Sequence, residues 1–250
     1  SYGFGTAIVA ALERGVSRLI LGIGSSASTD GGAGLLAALG ARIDGEARGG
    51  ARTLTGITGV DLAGVRPLPA GGVTVLTDVT NPLLGEHGSA AVFGPQKGFA
   101  PQEIVGVDGA LRSFAALLSA DPARPGAGAA GGIGFALAAW GAQLVPGAEA
   151  VAALIGLGPA VDAATWAITG EGAYDGQTAS GKAPALVLQA APGRCLLAAG
   201  RIDPAADVSR FAATRSLSEL AGSTEEALRR PVFWLTRAGR ELALAASALR

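Results

Sequence analysis

Four segments of this chain place hydroxyl, carboxylate or ammonium groups among glycines, a composition typical of loops that bind anions. The first, residues 22–32, follows a short apolar run and carries four hydroxyl side chains and an aspartate. The other three are residues 77–85, 126–132 and 169–182. Backbone N–H groups and hydroxyls at the start of a helix can hold a phosphate or a carboxylate. These segments therefore favour a small anionic ligand.

Gly22, Gly24 and Ala27 of the first segment also fit the dinucleotide-binding fingerprint. A chain with 40 glycines produces such matches easily, so they are weak evidence for a dinucleotide-dependent oxidoreductase, which stays a secondary alternative. A helix cap at residues 28–30 is the other simple explanation. Because one cap does not need four hydroxyls, we favour a ligand site.

The second segment places Asp78 at the end of an apolar strand, before a turn at Asn81. A carboxylate at a strand end is a common catalytic or metal-binding group, and an Asx-type turn is the structural alternative. The third segment has no strand before it, so its context excludes a dinucleotide loop. Its glycines, Gly128 and Gly131 among them, indicate close approach of the backbone to a ligand or to another backbone segment.

The fourth segment ends in a G-x-x-x-x-G-K pattern at residues 176–182. Ala183 stands where a P-loop needs a hydroxyl for Mg²⁺, and the predicted strand ends too early, so the segment is not a P-loop. It still places Glu171, Asp175 and Lys182 beyond one strand. Such groups suit phosphoryl transfer from a Mg²⁺-nucleotide, where positioning and charge neutralisation provide most of the catalysis.

Lysine is rare among the basic residues of this chain. Only two of its 19 Lys and Arg residues are lysines, Lys97 and Lys182. Both lysines lie in glycine-rich segments, and we expect at least one of them to hold an anion. A lysine at a helix start opposes the helix macrodipole. For Lys182, this position is a further indication of an anionic ligand nearby.

Composition excludes several classes of protein. The single histidine, His87, rules out a multi-histidine metal site, and Ser-His-Asp hydrolysis lacks its G-x-S-x-G elbow. A net charge of −1 gives no reason to expect nucleic acid or a membrane surface. Residues 125–148 are uncharged but mostly alanine and glycine, which argues against a membrane span. The lone cysteine, Cys195, fits a reducing compartment, and we expect a cytoplasmic protein.

Short apolar runs alternate with helical periodicity along the chain. The patterns predict strands at residues 18–23, 73–77, 166–169 and 195–199. They predict helices at residues 5–14, 31–39, 102–119, 133–142, 181–190, 224–230 and 240–249. This order is typical of an α/β fold with a mainly parallel sheet, in which ligands bind beyond the carboxyl ends of the strands.

Taken together and in this order, these loops resemble the class I glycerate kinase family, also called the glycerate 2-kinases. The matching residues are 24–34, 78–83, 93–98, 126–132 and 169–182. The resemblance implies mainly parallel sheets with helices on both faces. It also implies two α/β domains with the active site between them, one domain being discontinuous in sequence.

On this resemblance, residues 1–185 form the central domain with the Gly-rich loops. Residues 186–250 are then the C-terminal part of the discontinuous domain, which we expect to be incomplete here. Family members extend further at the N-terminus, where Asp-Ser-x-Lys and Gly-Asp-Gly-Gly motifs are expected. The chain departs from the family pattern at Ser25, where glycine is usual, and at Ala173, where arginine is common.

The resemblance implies phosphorylation of D-glycerate by ATP, usually at the 2-hydroxyl, with Mg²⁺. Glycerate and a nucleotide are then the expected small-molecule partners, with neither nucleic acid nor membrane, and a homodimer is a further expectation. Because the N-terminal motifs are not found in this chain, a catalytically inactive fragment that keeps only the fold or a ligand-binding surface is the alternative.

The predicted site combines the residue patterns with the resemblance. The residues predicted to be catalytic are Asp78, Asp175 and Lys182. The residues predicted to bind substrate or phosphate are Ser25, Ser26, Ser28, Thr29, Asp30, Asn81, Lys97, Gly128, Gly131, Gly170, Gly172 and Thr178. The predicted metal ligands are Glu171 and Asp175. The sequence leaves open whether Asp78 or Asp175 serves as general base or as Mg²⁺ ligand.

Overall fold

The computed structural model describes residues 1–175 and 183–249. The chain divides into two compact units, Ser1–Gly147 and Ala148–Arg250, here called unit 1 and unit 2. Each unit has a parallel sheet and a hydrophobic core of its own. Within the described residues, no helix is both long enough and apolar enough to cross a membrane.

Unit 1 contains a parallel sheet in the order β1-β4-β5 and an antiparallel pair, β2-β3. Its strands are β1 (Leu19–Gly22), β2 (Arg42–Asp44), β3 (Gly59–Asp61), β4 (Val73–Thr77) and β5 (Gln143–Pro146). Its helices are α1 (Tyr2–Glu13), α2 (Ala33–Leu39), α3 (Ser89–Phe93), α4 (Pro101–Ala115) and α5 (Ala129–Trp140). Short 3₁₀ helices cover Gly50–Gly56 and Pro95–Lys97.

The core of unit 1 forms on one face of its parallel sheet. Leu21 of β1 and Val75 of β4 point into this core, together with the fully buried Phe114 and Phe135. Alternate side chains of a strand face opposite sides, and Ile20 of β1 is accordingly 37% exposed on the other face.

Unit 2 contains a parallel sheet in the order β6-β7-β8. Its strands are β6 (Ala167–Tyr174), β7 (Cys195–Ile202) and β8 (Ala213–Ser216). The helices of this region are α6 (Gly147–Leu154), α7 (Leu157–Asp162), α8 (Ala183–Ala190), α9 (Leu217–Ala221), α10 (Thr224–Arg229) and α11 (Pro231–Ala248).

Helices cover both faces of the unit 2 sheet. Leu197 of β7 packs with Leu188 of α8 on one face. Its neighbour Leu196 packs with Leu242 of α11 on the other face. The predicted α/β class, with mainly parallel sheets and helices on both faces, is thus confirmed.

The fourth glycine-rich segment is a strand for much of its length, where the sequence predicted a loop after residue 169. β6 continues to Tyr174 because it pairs with β7 as far as Ile202. Gly170 permits the close pairing, since a Cβ there would lie 2.2 Å from the Ala198 carbonyl oxygen. This pairing also joins β6 to the C-terminal strands, so the expected domain boundary after residue 185 falls inside unit 2.

The other differences concern the extents of elements and short strands. α11 begins at Pro231, ahead of the predicted residue 240, because proline is favoured in the first turn of a helix. α5 includes Ala129, but residues 130–132 have left-handed backbone, so its regular helical turns begin at about residue 133, as predicted. The strands β2, β3, β5 and β8 were not predicted, since three or four residues carry too little periodicity.

Candidate active site

A cavity of about 260 Å³ lies in unit 1, where β1 and β4 end. Among the residues that line it are the predicted site residues Ser25, Ser26, Asp78 and Lys97. Ligands of parallel α/β sheets bind beyond the carboxyl ends of the strands. Loops that are far apart in sequence, around residues 25, 78 and 97, therefore meet where this rule places a ligand.

Lys97 is held in the cavity by the first glycine-rich segment. Its Nζ donates to the Ser28 carbonyl oxygen at 2.6 Å and to Ser26 Oγ at 3.1 Å. Burial lowers the pKa of Lys97, and the negative charge of Asp30 acts against this shift. Since an ammonium group has three N–H donors, the third donor is available to an anion in the cavity.

The backbone around the cavity is strained. Among the described residues, the non-glycine residues with left-handed backbone are Ser25 (φ +57°) and Ala130 (φ +55°), and both line this cavity. Such a conformation costs an L-residue roughly 1–2 kcal/mol. Strained residues of this kind cluster at ligand sites, where the surrounding structure holds them in place.

Asp78 lies at the rim of the same cavity and is exposed. Its Oδ1 accepts a hydrogen bond from the Gly147 backbone N–H at 3.1 Å. A side chain at Gly147 would collide with this carboxylate, since a Cβ there would lie 2.8 Å from Asp78 Oδ1. The carboxylate is thus held in position by the backbone at the start of α6.

Asp30 and Thr29 lie behind the cavity and are buried. Asp30 Oδ1 accepts from the Gly32 N–H at 3.0 Å, while Oδ2 accepts from the amino group of Ser1 at 2.9 Å and from Ser1 Oγ at 2.8 Å. Thr29 Oγ1 is buried and has no hydrogen-bond partner among the described residues. Neither side chain lines the cavity.

The glycines of the third segment make close backbone contacts. A Cβ on Gly131 would lie 1.9 Å from the Ser28 carbonyl oxygen, and one on Gly128 would lie 2.1 Å from that of Pro82. The Gly128 N–H donates to the Asn81 carbonyl oxygen at 3.0 Å. Contact between backbone segments therefore accounts for both glycines, and contact with a ligand stays a prediction from the sequence.

Asn81 belongs to the same packed region. Its Nδ2 donates to the backbone carbonyl of His87 at 2.8 Å and so closes the turn over residues 81–87. The His87 side chain itself is exposed. Asn81, Gly128 and Gly131 are consequently placed behind the cavity and are not part of its lining.

Unit 2 has a second cavity, of about 700 Å³, against β6 and β7. The predicted residues Gly170, Glu171 and Gly172 line it, with Arg201 and several apolar side chains of α9, α10 and α11. Glu171 Oε1 is buried and has no hydrogen-bond partner among the described residues. Asp175 directly follows β6.

Thr178 and Lys182 were predicted to bind phosphate and to act in catalysis, respectively. Both lie outside the described residues, 1–175 and 183–249. Their roles therefore remain predictions from the sequence. The same is true of the pattern at residues 176–182 to which they belong.

The described residues offer few side chains that could bind Mg²⁺. Among the described residues there is no group of three or more His, Cys, Asp and Glu side chains that could hold an ion. Four residues of extended chain separate the Cα atoms of Glu171 and Asp175 by about 13 Å, too far for both to bind one ion easily. Since Mg²⁺ is usually held by one or two carboxylates plus substrate phosphates, the buried Glu171 oxygen fits an ion that arrives with a nucleotide.

The sequence reasoning missed several residues that line the cavities. Thr77, Phe93, Gln96 and Ala130 line the first cavity, and Arg201 lines the second. Thr77, Phe93 and Gln96 lie in or beside quoted motifs, so their neighbours in sequence could have indicated them. Nothing local marks Arg201, which reaches the cavity because β7 pairs with β6.

Comparison with known proteins identifies the family to which this chain is similar. Residues 1–247 match the family model described as the glycerate kinase family. The chain is similar to the glycerate 2-kinase of Escherichia coli strain K12, with 43% identity over 195 residues, which are 74% of this chain and 51% of that protein. Its identity with the glycerate kinase of Halalkalibacterium halodurans is 42% over 202 residues, or 76% of this chain and 53% of that protein.

A solved structure is also similar. A crystal structure assigned to a glycerate kinase 2 of Salmonella typhimurium LT2 matches with a TM-score of 0.73 and 37% identity, covering 96% of this chain and 69% of that one. The chain spans about half the length of the curated relatives it matches. Because the family model matches residues 1–247 and these curated relatives are 42–43% identical over about three quarters of the chain, this chain belongs to the glycerate kinase family.

Proposed function

We propose that the protein containing this chain transfers a phosphoryl group from ATP to D-glycerate and forms 2-phosphoglycerate. The observation that carries the proposal is the convergence of Lys97, Ser26 and the strained Ser25 on one cavity at the strand ends of unit 1. Glycerate is a small carboxylate with two hydroxyl groups. A cation beside hydroxyl side chains supplies the charge and the hydrogen bonds that such a ligand needs.

Within this cavity the residues divide into two roles. The Lys97 ammonium and the hydroxyls of Ser25 and Ser26 bind the carboxylate of glycerate. Asp78, whose carboxylate is held by the Gly147 N–H, accepts the proton of the hydroxyl that becomes phosphorylated. Proton acceptance contributes less than positioning in phosphoryl transfer, so Lys97 carries the larger share of the catalysis.

The nucleotide and its metal are assigned to the remaining predicted residues. Gly170, Gly172 and, outside the described residues, Thr178 and Lys182 are candidates for contact with the phosphates of ATP. Glu171 is the better candidate for holding Mg²⁺, because one of its oxygens is buried without a partner among the described residues. When bound, Mg²⁺ neutralises charge on the transferred phosphoryl group.

The wider expectations follow the same proposal. We expect a cytoplasmic enzyme whose partners are glycerate and a nucleotide, with a homodimer as its assembly and neither nucleic acid nor membrane as a partner. Membership of the glycerate kinase family supports neither the dinucleotide-dependent oxidoreductase nor the inactive fragment.

The test is direct product analysis by ³¹P NMR with this chain, ATP, Mg²⁺ and D-glycerate. The expected product is 2-phosphoglycerate, which is distinguished from 3-phosphoglycerate by its phosphorus signal. Lys97→Met should lower kcat/KM by roughly 10- to 100-fold, since a charge-assisted hydrogen bond is lost. Two serine substitutions test whether the effect is specific to the cavity. Ser26→Ala should lower activity. The control Ser113→Ala, at an exposed position of α4, should leave activity unchanged.

Two results would contradict the proposal. One is the absence of any phosphoglycerate together with no binding of D-glycerate by calorimetry. The other is full activity of Lys97→Met. Binding without turnover by the protein that contains this chain would retain the glycerate cavity and overturn the proposed phosphoryl transfer.

A further inference from the structure

Asp30 is a buried carboxylate placed behind the candidate cavity. It is 1% exposed, and its oxygens accept from the Gly32 N–H and from the amino and hydroxyl groups of Ser1. The Gly34 N–H adds a longer contact at 3.4 Å. With its oxygens engaged in this way, Asp30 is placed to hold its loop and does not line the cavity.

The position of Lys97 depends on the same loop. Ser28, whose carbonyl oxygen accepts from Lys97 Nζ at 2.6 Å, lies two residues before Asp30. The loop is fixed further by Gly131, whose carbonyl accepts from the Gly31 N–H at 2.9 Å. Displacement of Asp30 would therefore move the acceptors that orient the Lys97 ammonium.

The charges around Lys97 are few. Of the described residues, Asp78 lines the same cavity, and the carboxylate of Asp30 is buried close to the loop that Lys97 contacts. Lys97 itself makes no ion pair within 4.0 Å in the described chain; its hydrogen bonds go to a hydroxyl and a carbonyl. The direct contacts of its ammonium are thus with neutral groups, and the negative charge of Asp30 acts on it without a direct ion pair.

We propose that Asp30 is a positioning residue for Lys97. Its buried carboxylate holds the loop that carries the two acceptors of the Lys97 ammonium. The inference rests on the proposed function only in taking Lys97 as the group that binds glycerate. Asp30 itself touches neither substrate nor nucleotide.

The first test measures the charge of Lys97 directly and does not depend on activity. With ¹³Cε-labelled lysine the chain gives two lysine signals, since it has two lysines, and Lys97→Met identifies one of them. Titration follows the pKa of Lys97 in the wild-type chain, in Asp30→Asn and in Asp44→Asn. Asp44 is exposed on β2 and serves as the matched control.

We expect Asp30→Asn to lower the pKa of Lys97 further and Asp44→Asn to leave it unchanged. This direction follows because the negative charge that opposes the effect of burial is removed. Asp30→Glu keeps the charge and should leave the pKa closer to that of the wild type. An unchanged Lys97 titration in Asp30→Asn, or a change of the same size in Asp44→Asn, would overturn the proposal.

The second test asks whether Asp30 acts through Lys97. Asp30→Asn should weaken D-glycerate binding about threefold or more in the wild-type background and add no further loss in Lys97→Met. If the two losses are additive, Asp30 acts independently and the proposal fails. If Asp30→Asn does not fold, Asp30→Glu takes its place, and a pKa of Lys97 that falls despite the retained charge would overturn the proposal.

If the wild-type chain binds no D-glycerate, the proposed function fails. The lysine titration would still decide between a positioning role and a purely structural role for Asp30. The two proposals can therefore fail separately.

Discussion

Lysine at position 97 is informative, because only two of the 19 Lys and Arg residues of the chain are lysines. The compact ammonium fits between two acceptors, Ser26 Oγ and the Ser28 carbonyl oxygen. A planar guanidinium has a fixed fork of donors and cannot reproduce this arrangement. Lysine also differs from arginine in losing its charge within an accessible pH range when it is buried.

The pH dependence of glycerate binding should therefore follow Lys97. Burial lowers its pKa, and only the protonated form attracts a carboxylate. Affinity should be highest at neutral pH and fall as pH rises through this lowered pKa. Calorimetric titration between pH 7 and 10 measures it, with Lys97→Met, which lacks the titrating group, as the control whose remaining affinity should not follow this pH dependence. An affinity for the wild type that is constant over this range would contradict the assignment.

Cys195 gives a second pH effect, on stability. It is fully buried on β7, and burial raises the pKa of its thiol to about 11. The unfolded thiol loses its proton near pH 9 while the folded one keeps it. The stability contribution is therefore complete below pH 9 and is lost as pH rises towards 11, by up to roughly 2 kcal/mol.

Urea unfolding at pH 8 and pH 10.5 tests the effect of Cys195. Cys195→Ala lacks the thiol and should lose less stability between these two pH values than the wild type does. For each protein, the unfolding free energy at pH 10.5 is compared with its own value at pH 8. The destabilisation caused by the cavity in Cys195→Ala is the same at both pH values and therefore cancels. Equal losses in both proteins would show that Cys195 does not titrate in this way.

At the scale of elements, glycines bring loops and strands into contact. Gly131 has φ +72° and lies where a Cβ would be 1.9 Å from the Ser28 carbonyl oxygen. Gly170 lies against Ala198 in the β6-β7 pair. The glycine-rich segments are therefore parts of the scaffold that place the hydroxyls and Lys97, in addition to any contact with a ligand.

Gly131→Ala should separate the two loops that meet at Ser28. We expect a loss of about 3 kcal/mol or more in unfolding free energy, because both the backbone angle and the contact are incompatible with a side chain. Gly106→Ala is the matched control: Gly106 lies on an exposed face of α4 with open space for a Cβ, and the change should stabilise by about 0.5–1 kcal/mol. Denaturant unfolding of both variants measures the two changes in unfolding free energy. Changes of similar sign and size in the two variants would contradict this account.

At the scale of the whole molecule, each unit has its own hydrophobic core. The buried cluster of unit 1 runs from Ile8 to Ala142, and the clusters of unit 2 lie between Val161 and Ala246. A unit with its own core is expected to unfold cooperatively. Stability changes should therefore be confined to the unit in which a substitution lies.

Differential scanning calorimetry tests this confinement. We expect two transitions, with Gly131→Ala lowering the Tm of one and Cys195→Ala lowering the Tm of the other. D-glycerate should raise the Tm of the transition that Gly131→Ala affects, because a ligand stabilises the state that binds it. A single transition that responds to both substitutions would contradict two cooperative units.

The family, the α/β class and most of the long elements follow from the sequence alone. They do so because the signals are local: apolar periodicity marks strands and helices, and the order of glycine-hydroxyl segments marks the family. The same local signals indicated Ser25, Ser26, Asp78 and Lys97, which line one cavity.

Only the tertiary structure decided what each of these residues contacts. Asp30 and Gly131 look like ligand-binding residues in the sequence, yet one is buried behind the loop and the other packs against its backbone. β6 extends through a glycine-rich segment because β7 pairs with it along Ala167–Tyr174. Burial and pairing depend on residues far away in the chain, so no local pattern of side chains can reveal them.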